Sequence, residues 1–341
     1  MPTFTVIHSD DPSKYKEHIL KFWKEYLPGT APGRFDWMTR GNPAGPTNWF
    51  FAFVEDTEEF AGLVSIMPKM VSVAGHLVKT GIVGDFMVNS NYRLFGPHLK
   101  LIRTLVESAP SLGYEIIYGL PNEAAQKVVE RAGMKRVNHI CSYVKLIRVA
   151  FHLNNYLPAA LAGLVTAPVE LILRLFSREL FVSSSGVEEV TETDESFDIL
   201  WESVRRSAPG LVSDRSSSFL SWRYLQNPLN KFRFLVHRDD AQSNLSGYAV
   251  FCITGDGKLW IYDILSVRKG VADRMLKRII QIAREEHCRS VIFPVSCGND
   301  WSRRLWNFGF LKSKSKLALY HSGDQRFPVE SWEFFSGDRN I

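Results

Sequence analysis

The residues best suited to chemistry lie between Val83 and Gly133, where a strand-like run leads into a helix-like run. Arg93 stands just before Gly96-Pro97, at which the predicted helix begins. The first N–H groups of a helix have no partner inside it and attract anions. Glycine lets a ligand approach the backbone, and proline suits the first helical position. The spacing therefore predicts a pyrophosphate site in which Arg93 pairs with phosphate oxygens.

This loop lacks the two most familiar phosphate-binding patterns. It has one glycine and no Gly-Lys-Ser/Thr, so it differs from the P-loop and from the dinucleotide fingerprint. His98, in the first helical turn, either adds a donor to the phosphate or only fills that turn. Asn122 either caps the next predicted helix or hydrogen-bonds the ligand.

The same stretch resembles the core of the GNAT acyltransferase superfamily. In that family a strand ending in valine precedes Tyr-Arg-x-x-Gly-x-Gly/Ala, and a Pro-Asn and a Gly-hydrophobic pair flank the next helix. The matching residues are Val88, Tyr92, Arg93, Gly96, Pro121, Asn122, Gly133 and Met134. His98 departs from the pattern, since the family usually has glycine or alanine there.

The resemblance implies that acetyl-CoA, or another acyl-CoA, binds here as the acyl donor. The strand would pair with the pantetheine arm and the loop would hold the pyrophosphate. The residues predicted to contact this cofactor are Phe86, Met87, Val88, Arg93, Leu94, Phe95, Gly96, Pro97, His98 and Asn122. No metal is predicted, because none of the four cysteines belongs to a Cys-x-x-Cys pair.

Amine acylation requires a group that accepts the proton of the amine and a group that polarises the thioester carbonyl. The leaving thiolate must also be stabilised or protonated. Asp85 is the candidate general base, because GNAT enzymes often place a carboxylate on this strand. Alternatively, Asp85 has only a structural role, in which its carboxylate accepts hydrogen bonds from neighbouring loop N–H groups. Many GNAT enzymes place an acid tyrosine four residues before the last glycine, where this chain has Val129. Tyr118 is the best substitute, and its alternative role is packing.

The composition points to a globular protein of two domains. The chain has 341 residues, a hydrophobic fraction of 45% and a net charge of +5. Basic residues are scattered, so no nucleic-acid surface is predicted. Few cysteines and no evident secretory signal predict a reducing, cytoplasmic setting.

Periodicity divides the first half into recognisable elements. The pattern predicts a helix over 9–26, strands over 49–54, 60–67 and 71–78, the strand–helix–strand–helix core, and a closing strand over 136–147. Together they predict an α/β fold with a mixed sheet.

Residues 148–186 form an apolar connector. Between Arg148 and Glu170 no charged residue occurs. The favoured interpretation is a linker with helices packed between domains; a membrane-surface contact through 149–169 and a true span are the alternatives. The aromatic content and this linker would also suit a homodimer interface.

The second half repeats the first. Trp37, Asn42, Pro43 and Gly62 recur at one offset as Trp222, Asn227, Pro228 and Gly247. We therefore predict two tandem GNAT-like domains, 1–147 and 187–341, joined by 148–186. The second copy lacks the Arg-x-x-Gly loop and has Leu305 at the acid position, so the first copy is predicted to bind acyl-CoA.

The predicted function is acyl-CoA-dependent N-acyltransfer to a small amine or amino sugar, with acetyl as the default group. One alternative is a non-catalytic acyl-CoA-binding or assembly protein, favoured by the missing acid tyrosine. Another is an aminoacyl transferase like the Fem enzymes, against which the intact Tyr92-Arg93-x-x-Gly96 loop stands.

Overall fold

The computed structural model describes residues 2–149, 168, 170–172, 174–175, 177–208, 210–238, 244–268, 270–297, 300–323 and 332–340. The strands are β1 Phe4–Ser9, β2 Asn48–Val54, β3 Phe60–Val73, β4 His76–Val88, β5 Ile116–Gly119, β6 Lys135–Leu146, β7 Val187–Val190, β8 Leu211–Ser213, β9 Phe232–Arg238, β10 Leu245–Ile253, β11 Lys258–Ser266, β12 Ser290–Ser296 and β13 Leu311–Gly323. The helices used below are α1 Lys16–Tyr26, α2 Arg34–Arg40, α3 Pro97–Ser108, α4 Glu123–Arg131, α5 Glu195–Ser207, α6 Ser217–Leu220, α7 Val271–Glu285 and α8 Trp301–Asn307.

The described strands form one mixed sheet. Its order is β1-β2-β3-β4-β5-β13-β6-β12-β11-β10-β9-β7, and β8 pairs with β3. Two neighbouring pairs are parallel, β4 with β5 and β11 with β12, and each belongs to a strand–helix–strand unit. The predicted mixed α/β architecture is confirmed.

The two halves exchange their closing strands. β13, from the second half, pairs with β5 on one side and with β6 on the other. β6, from the first half, pairs with β12 through residues 140–146 and 290–296. The strand predicted over 136–147 therefore exists, but it does not close the first half alone, because the two halves share one continuous sheet.

A pseudo-twofold contact relates the repeats. Nε1 of Trp37 donates to the carbonyl of Trp222 at 2.8 Å, and Nε1 of Trp222 donates to the carbonyl of Trp37 at 3.0 Å. The two rings stack with their centroids 4.8 Å apart. Such reciprocal bonding is the mark of an interface in which one patch meets its own copy. The pair predicted to be equivalent from its spacing is thus equivalent in space.

A disulfide also crosses between the halves. Cys141 of β6 is bonded to Cys297, which follows β12. Cys141 therefore has no free thiol. Disulfides persist in oxidising compartments, so the predicted reducing, cytoplasmic setting does not account for this bond and stays a prediction.

The connector can be described only in part. Of the predicted membrane-surface segment 149–169, the described residues include 149 and 168 alone. In the chain as far as it is described, no helix is long and apolar enough to cross a bilayer.

Candidate active site

A cleft opens where the parallel strands β4 and β5 separate. They pair only between residues 80–82 and 116–118. Beyond this point lies a cavity of about 480 Å³ between residues 82–87 of β4 and residues 118–122, with Val129 of α4 on its wall. The separated edge of β4 offers backbone groups that an extended ligand can pair with.

A β-bulge shapes the β4 side of this cleft. Leu63 pairs with Met87 and Ser65 with Gly84, so two residues, Asp85 and Phe86, stand opposite one. Asp85 has a φ of +48°, a left-handed conformation that is uncommon for a residue with a side chain. A bulge leaves backbone groups outside the ladder and redirects them. The N–H groups near Phe86 are therefore candidates for polarising a carbonyl.

Asp85 lies in the cleft, but its carboxylate is fully engaged. Arg34 Nη1 lies 2.7 Å from its Oδ1, and Trp23 Nε1 donates to the same oxygen at 3.1 Å. Ser65 donates to Oδ2 at 3.1 Å. The Arg34 guanidinium stacks on Trp23, 4.5 Å from the ring centre. Asp85 holds the bulge and α2 together, and a substrate amine would have to displace one of these donors before the carboxylate accepted its proton.

The hydroxyl of Tyr118 is also engaged in a hydrogen bond. Its hydroxyl donates to the backbone oxygen of Asp338 at 2.7 Å, and its ring packs against Trp332 and Phe334. Burial raises the pKa of Tyr118 well above its ordinary value, and the nearby Asp338 raises it further. These contacts favour the packing alternative for Tyr118, because a proton bound this tightly is poorly placed to protonate a thiolate. Its assignment as the acid stays a prediction.

The predicted pyrophosphate loop has the expected backbone. Gly96 caps α3 with a φ of +91°, and Pro97 is the first helical residue. A side-chain carbon at Gly96 would meet nothing within 4 Å, so the approach to the helix N-terminus is open. The Arg93 side chain is exposed, with its Nε 3.4 Å from the carbonyl of Val88. Burial and the nearby Arg93 charge lower the pKa of His98, so His98 is neutral at pH 7.

The residues predicted to contact the cofactor lie either in the cleft between β4 and β5 or near the loop before α3. The cavity is lined by Asp85, Phe86, Met87, Tyr118 and Asn122. Val88 is buried at the end of β4, and the ring of His98 lies 6.0 Å from that of Phe86. The loop residues Leu94 and Phe95 are 95% and 45% exposed, which leaves them free to contact a ligand. Cleft and loop are thus continuous along the chain, as the extended shape of acyl-CoA requires.

Asn122 caps helix α4. Its Oδ1 accepts a hydrogen bond from the N–H of Ala125 at 3.0 Å. We expect Asn122→Ala to lower the free energy of unfolding by about 1 kcal/mol, since the cap is lost. Asn122→Asp keeps the capping oxygen and should retain this stability. Urea unfolding of both variants measures the difference.

The pair of Asn122 variants also tests the predicted cofactor contact. Asn122→Asp keeps the capping oxygen but replaces the amide N–H donors, the groups left to bind the pantetheine, with a negatively charged oxygen. Equal acetyl-CoA affinity in Asn122→Asp and the wild type would remove Asn122 from the cofactor site. A stable Asn122→Ala would instead show that the cap contributes nothing.

The corresponding cleft in the second half is filled. β11 and β12 also pair over only three residues, 258–260 with 290–292, and then separate. The tail, which we define as residues 332–340, lies in this gap. Phe335 bridges to Val295, and the N–H of Ser296 donates to the carbonyl of Phe334 at 3.0 Å. No acyl-CoA can therefore enter this cleft unless the tail leaves.

The helix N-terminus of the second half is occupied as well. Helix α7 begins after Gly270, but Asp273 stands in its first turn. The Asp273 carboxylate pairs with Arg178 at 3.0 Å and with Arg304 at 3.1 Å. A carboxylate in the first helical turn interacts favourably with the helix dipole, so this helix start already has a negative charge supplied by the chain. Both observations agree with the prediction that the first copy binds the donor.

Sequence reasoning missed three contributors to the first cleft. Arg34 begins α2, which lies between the predicted helix over 9–26 and the predicted strand over 49–54, and Arg339 and Asn340 come from the tail. Asn340 packs so closely on Gly84 that a side chain at Gly84 would collide with it. The glycine in a strand otherwise rich in larger residues was the one available signal, since it often marks close backbone approach.

Comparisons with known proteins agree with this geometry. The family model of the acetyltransferase (GNAT) family matches residues 197–310. No curated protein sequence matches the chain. Among solved structures, a GCN5-related N-acetyltransferase from Anabaena variabilis has a TM-score of 0.65 at 14% identity, covering 94% of this chain and 73% of that chain.

Two other solved structures are similar. A GCN5-related N-acetyltransferase from Kribbella flavida has a TM-score of 0.60 at 16% identity, with coverage of 94% and 71%. The N-myristoyltransferase of Saccharomyces cerevisiae, solved with bound myristoyl-CoA, has a TM-score of 0.61 at 11% identity, with coverage of 96% and 86%. These similarities establish the fold.

The parted parallel strands, the bulge and the duplicated sheet define an N-acyltransferase fold in two copies. The chain has a tandem GNAT-like fold, and residues 197–310 match the model of the acetyltransferase (GNAT) family. This match lies in the half whose cleft is filled, so the match to the family model and the open cleft lie in different halves.

Proposed function

We propose that the chain is an acyl-CoA-dependent N-acyltransferase that binds its donor in the first half. The observation that carries this proposal is the contrast between the two clefts. The gap between β4 and β5 is open and leads along the chain to the helix N-terminus at Gly96. In the second half, the tail fills the gap and Asp273 occupies the helix start.

In the proposed complex, acyl-CoA lies along β4 and the loop that leads from β4 to α3. The pyrophosphate lies at the N-terminus of α3, where Arg93 pairs with it. The pantetheine pairs with the free edge of β4, and the thioester lies near the bulge at Asp85–Phe86. Acetyl is the default acyl group, and the acceptor is a small amine or an amino sugar.

The reaction forms one bond and breaks another at the thioester carbon. The acceptor nitrogen attacks the carbonyl carbon, and the oxyanion that develops accepts hydrogen bonds from N–H groups at the bulge. The C–S bond then breaks, CoA leaves as the thiolate, and the amine proton passes to a base. Asp85 remains our candidate base, with Arg34 giving way as the acceptor binds.

A second candidate function is acyl-CoA binding without catalysis. The specific observation that favours it is the state of the two predicted catalytic groups. Asp85 is paired with Arg34, and the hydroxyl proton of Tyr118 is bound to the backbone of Asp338. A protein that only binds acyl-CoA needs neither group to be free. The Fem-like alternative requires no acyl-CoA at all.

Isothermal titration with acetyl-CoA and CoA tests the donor site. We expect saturable binding to the wild type and at least a tenfold loss of affinity, about 1.4 kcal/mol, in Gly96→Glu and in Arg93→Ala. Glutamate at Gly96 adds a negative charge and a side chain at a φ of +91°. Both changes oppose binding of a pyrophosphate at this helix start.

Gly270→Glu is the matched control for Gly96→Glu. Gly270 also caps its helix, has a φ of +88°, and faces open space. Its variant carries the same charge and backbone strain in the half with the filled cleft, so acetyl-CoA affinity should not change. Loss of binding in Gly270→Glu but not in Gly96→Glu would move the site to the second half.

Release of CoA thiol in the presence of an amine panel separates the two candidate functions. An enzyme releases thiol only when a suitable amine is present, whereas a binding protein retains acetyl-CoA unchanged with every amine. Absence of any binding at millimolar acetyl-CoA would refute both and leave the Fem-like alternative.

A further inference from the structure

We infer that the acceptor carries a carboxylate as well as its amine, and that Arg339 binds this carboxylate beside the thioester. This inference rests on the proposed N-acyltransfer, since it assigns a chemical class to the acceptor of that reaction. It arises from a second cavity and from the pairing of the charges around the tail.

The second cavity lies on the other side of the tail from the donor cleft. Its volume is about 480 Å³, and residues of β11 and of the turn before it form one wall. Its lining consists of Thr254, Asp256, Trp260, Tyr262, Ser336, Arg339 and Asn340. Arg339 and Asn340 line the donor cleft too. Both cavities therefore meet at these two tail residues.

Arg339 has a half-buried charge without a counterion. Within the described part of the chain, no carboxylate pairs with its guanidinium. Burial lowers the pKa of Arg339, and only the neighbouring Tyr262 opposes this effect. A charge withdrawn from water without a partner is costly. A carboxylate ligand removes that cost and makes the strong, bidentate type of hydrogen bond that guanidinium groups form.

Two other buried arginines at this centre have carboxylate partners. Arg34 pairs with Asp85 at 2.7 Å, and Arg215 pairs with Asp263 at 2.6 Å and with Asp338 at 2.9 Å. Among the described residues, no carboxylate forms an ion pair with Arg223 or with Arg339. Of these two, Arg339 lines both cavities, which is the position expected of a ligand-binding group.

Two more polar groups around the tail are left incomplete. Nη1 of the fully buried Arg223 has no hydrogen-bond partner among the described residues, and Oδ1 of Asn340 has none either. The other nitrogens of Arg223 donate to the carbonyls of Gly337 and Arg339. Arg223 thereby holds the backbone of Arg339 in place and adds a second positive charge behind it.

The rest of the second cavity suits a small amino acid or an acidic amino sugar. Trp260 and Tyr262 line it with aromatic side chains. Asp256, the carboxylate in its lining, pairs with Lys258 at 2.5 Å and accepts a hydrogen bond from Thr254 at 2.6 Å. Its charge is therefore compensated and does not exclude an anionic ligand.

Titration with probes that have or lack a carboxylate tests the inference. The probes are L-phenylalanine, L-lysine and muramic acid, each compared with a counterpart that keeps the amine but lacks the carboxylate. These counterparts are the two amino acid amides and glucosamine, and all titrations use protein saturated with CoA. We expect at least one acid to bind about tenfold more tightly than its counterpart. Arg339→Gln should abolish this preference, and Arg339→Lys should restore part of it.

Arg303→Gln is the control for the change of charge. Arg303 is an exposed arginine of α8 that lines neither cavity. Its variant should keep the preference for acids, and melting curves should show all three variants to be folded. Equal binding of the acids and of the counterparts without a carboxylate, absence of binding by every acid, or a preference that survives in Arg339→Gln would each overturn the inference.

A donor arm separates the acceptor from the acyl chain as the source of the carboxylate. If Arg339→Gln weakens succinyl-CoA but leaves acetyl-CoA and the acid probes unaffected, the carboxylate belongs to the donor and the acceptor assignment is wrong. The proposed function fails separately, through loss of acetyl-CoA binding in the wild type. Binding of acid probes that depends on Arg339 would then still stand.

Discussion

Residues 1–147 and 187–341, expressed as two separate proteins, are expected to be unfolded or aggregated. The reason is the exchange of closing strands. Without β13, both β5 and β6 would lose a hydrogen-bonded neighbour, and without β6, so would β12. Unpaired strand edges of this kind are templates for aggregation. Circular dichroism and size-exclusion chromatography of each fragment measure the effect.

Co-expression is the complementary experiment. Because every missing strand is present in the other fragment, the two together should form a soluble one-to-one complex that is purified through a tag on either one. Fusing 311–323 to fragment 1–147 through a flexible linker should partly rescue it, since β5 regains its neighbour. A monomeric fragment 1–147 that unfolds cooperatively on its own would contradict the exchange.

The individual elements could be predicted where a strong local signal exists. The Gly96-Pro97 pair places the start of α3 correctly, since Gly96 is the cap and Pro97 is the first helical residue. The predicted helix over 9–26 was only partly correct, because residues 4–9 form β1 and α1 begins at Lys16. A short edge strand next to a polar helix start gives a weak pattern, so the boundary was placed too early.

The repeat could be predicted, but its topology could not. The duplication is visible in the sequence because Trp37 and Trp222 belong to two sets of residues with the same spacing, and the two tryptophans contact each other in the structure. The exchange of β6 and β13 produces no corresponding pattern in the sequence. A strand needs the same alternation of side chains whichever neighbour it pairs with, so its sequence does not say which sheet edge it joins.

The candidate site was predictable for its local part only. The bulge residues and the glycine loop follow one another along β4 and α3, and the family pattern covers them. The partners of Asp85 and Tyr118 lie far away in sequence: Arg34 is 51 residues from Asp85, and Asp338 is 220 residues from Tyr118. No periodicity connects residues at such distances, so the sequence alone does not show that the Tyr118 hydroxyl donates to the backbone oxygen of Asp338.

Asp338→Asn is expected to lower the free energy of unfolding by about 3–5 kcal/mol at pH 7. Asp338 is fully buried, and its carboxylate pairs with Lys69 and Arg215. It also accepts the N–H of Phe335 at 2.9 Å. Asparagine keeps the shape but leaves two buried cations short of one negative charge. Total stabilities of about 5–15 kcal/mol make this loss severe.

The pH dependence identifies the charge as the cause. Burial by itself raises the pKa of Asp338, but Arg215 and Lys69 outweigh it and hold that pKa well below the ordinary range. The folded state thus binds this proton less readily than the unfolded chain, whose aspartates titrate near about 3.9. The stability from Asp338 is therefore fully present above that pH and is lost as the pH falls below it.

Urea unfolding between pH 7 and pH 3 measures both the loss of stability in Asp338→Asn and the dependence of this loss on pH. The difference in stability between the wild type and Asp338→Asn should be constant down to about pH 4.5 and should shrink below it. Asp36→Asn is the control, since Asp36 forms an exposed pair with Lys16 at 3.8 Å and should cost under about 1 kcal/mol. A difference that stays constant into acid would mean that lost packing, and not the ion pair, destabilises the variant. Retention of full stability in Asp338→Asn would show that the tail is not held by its buried charges.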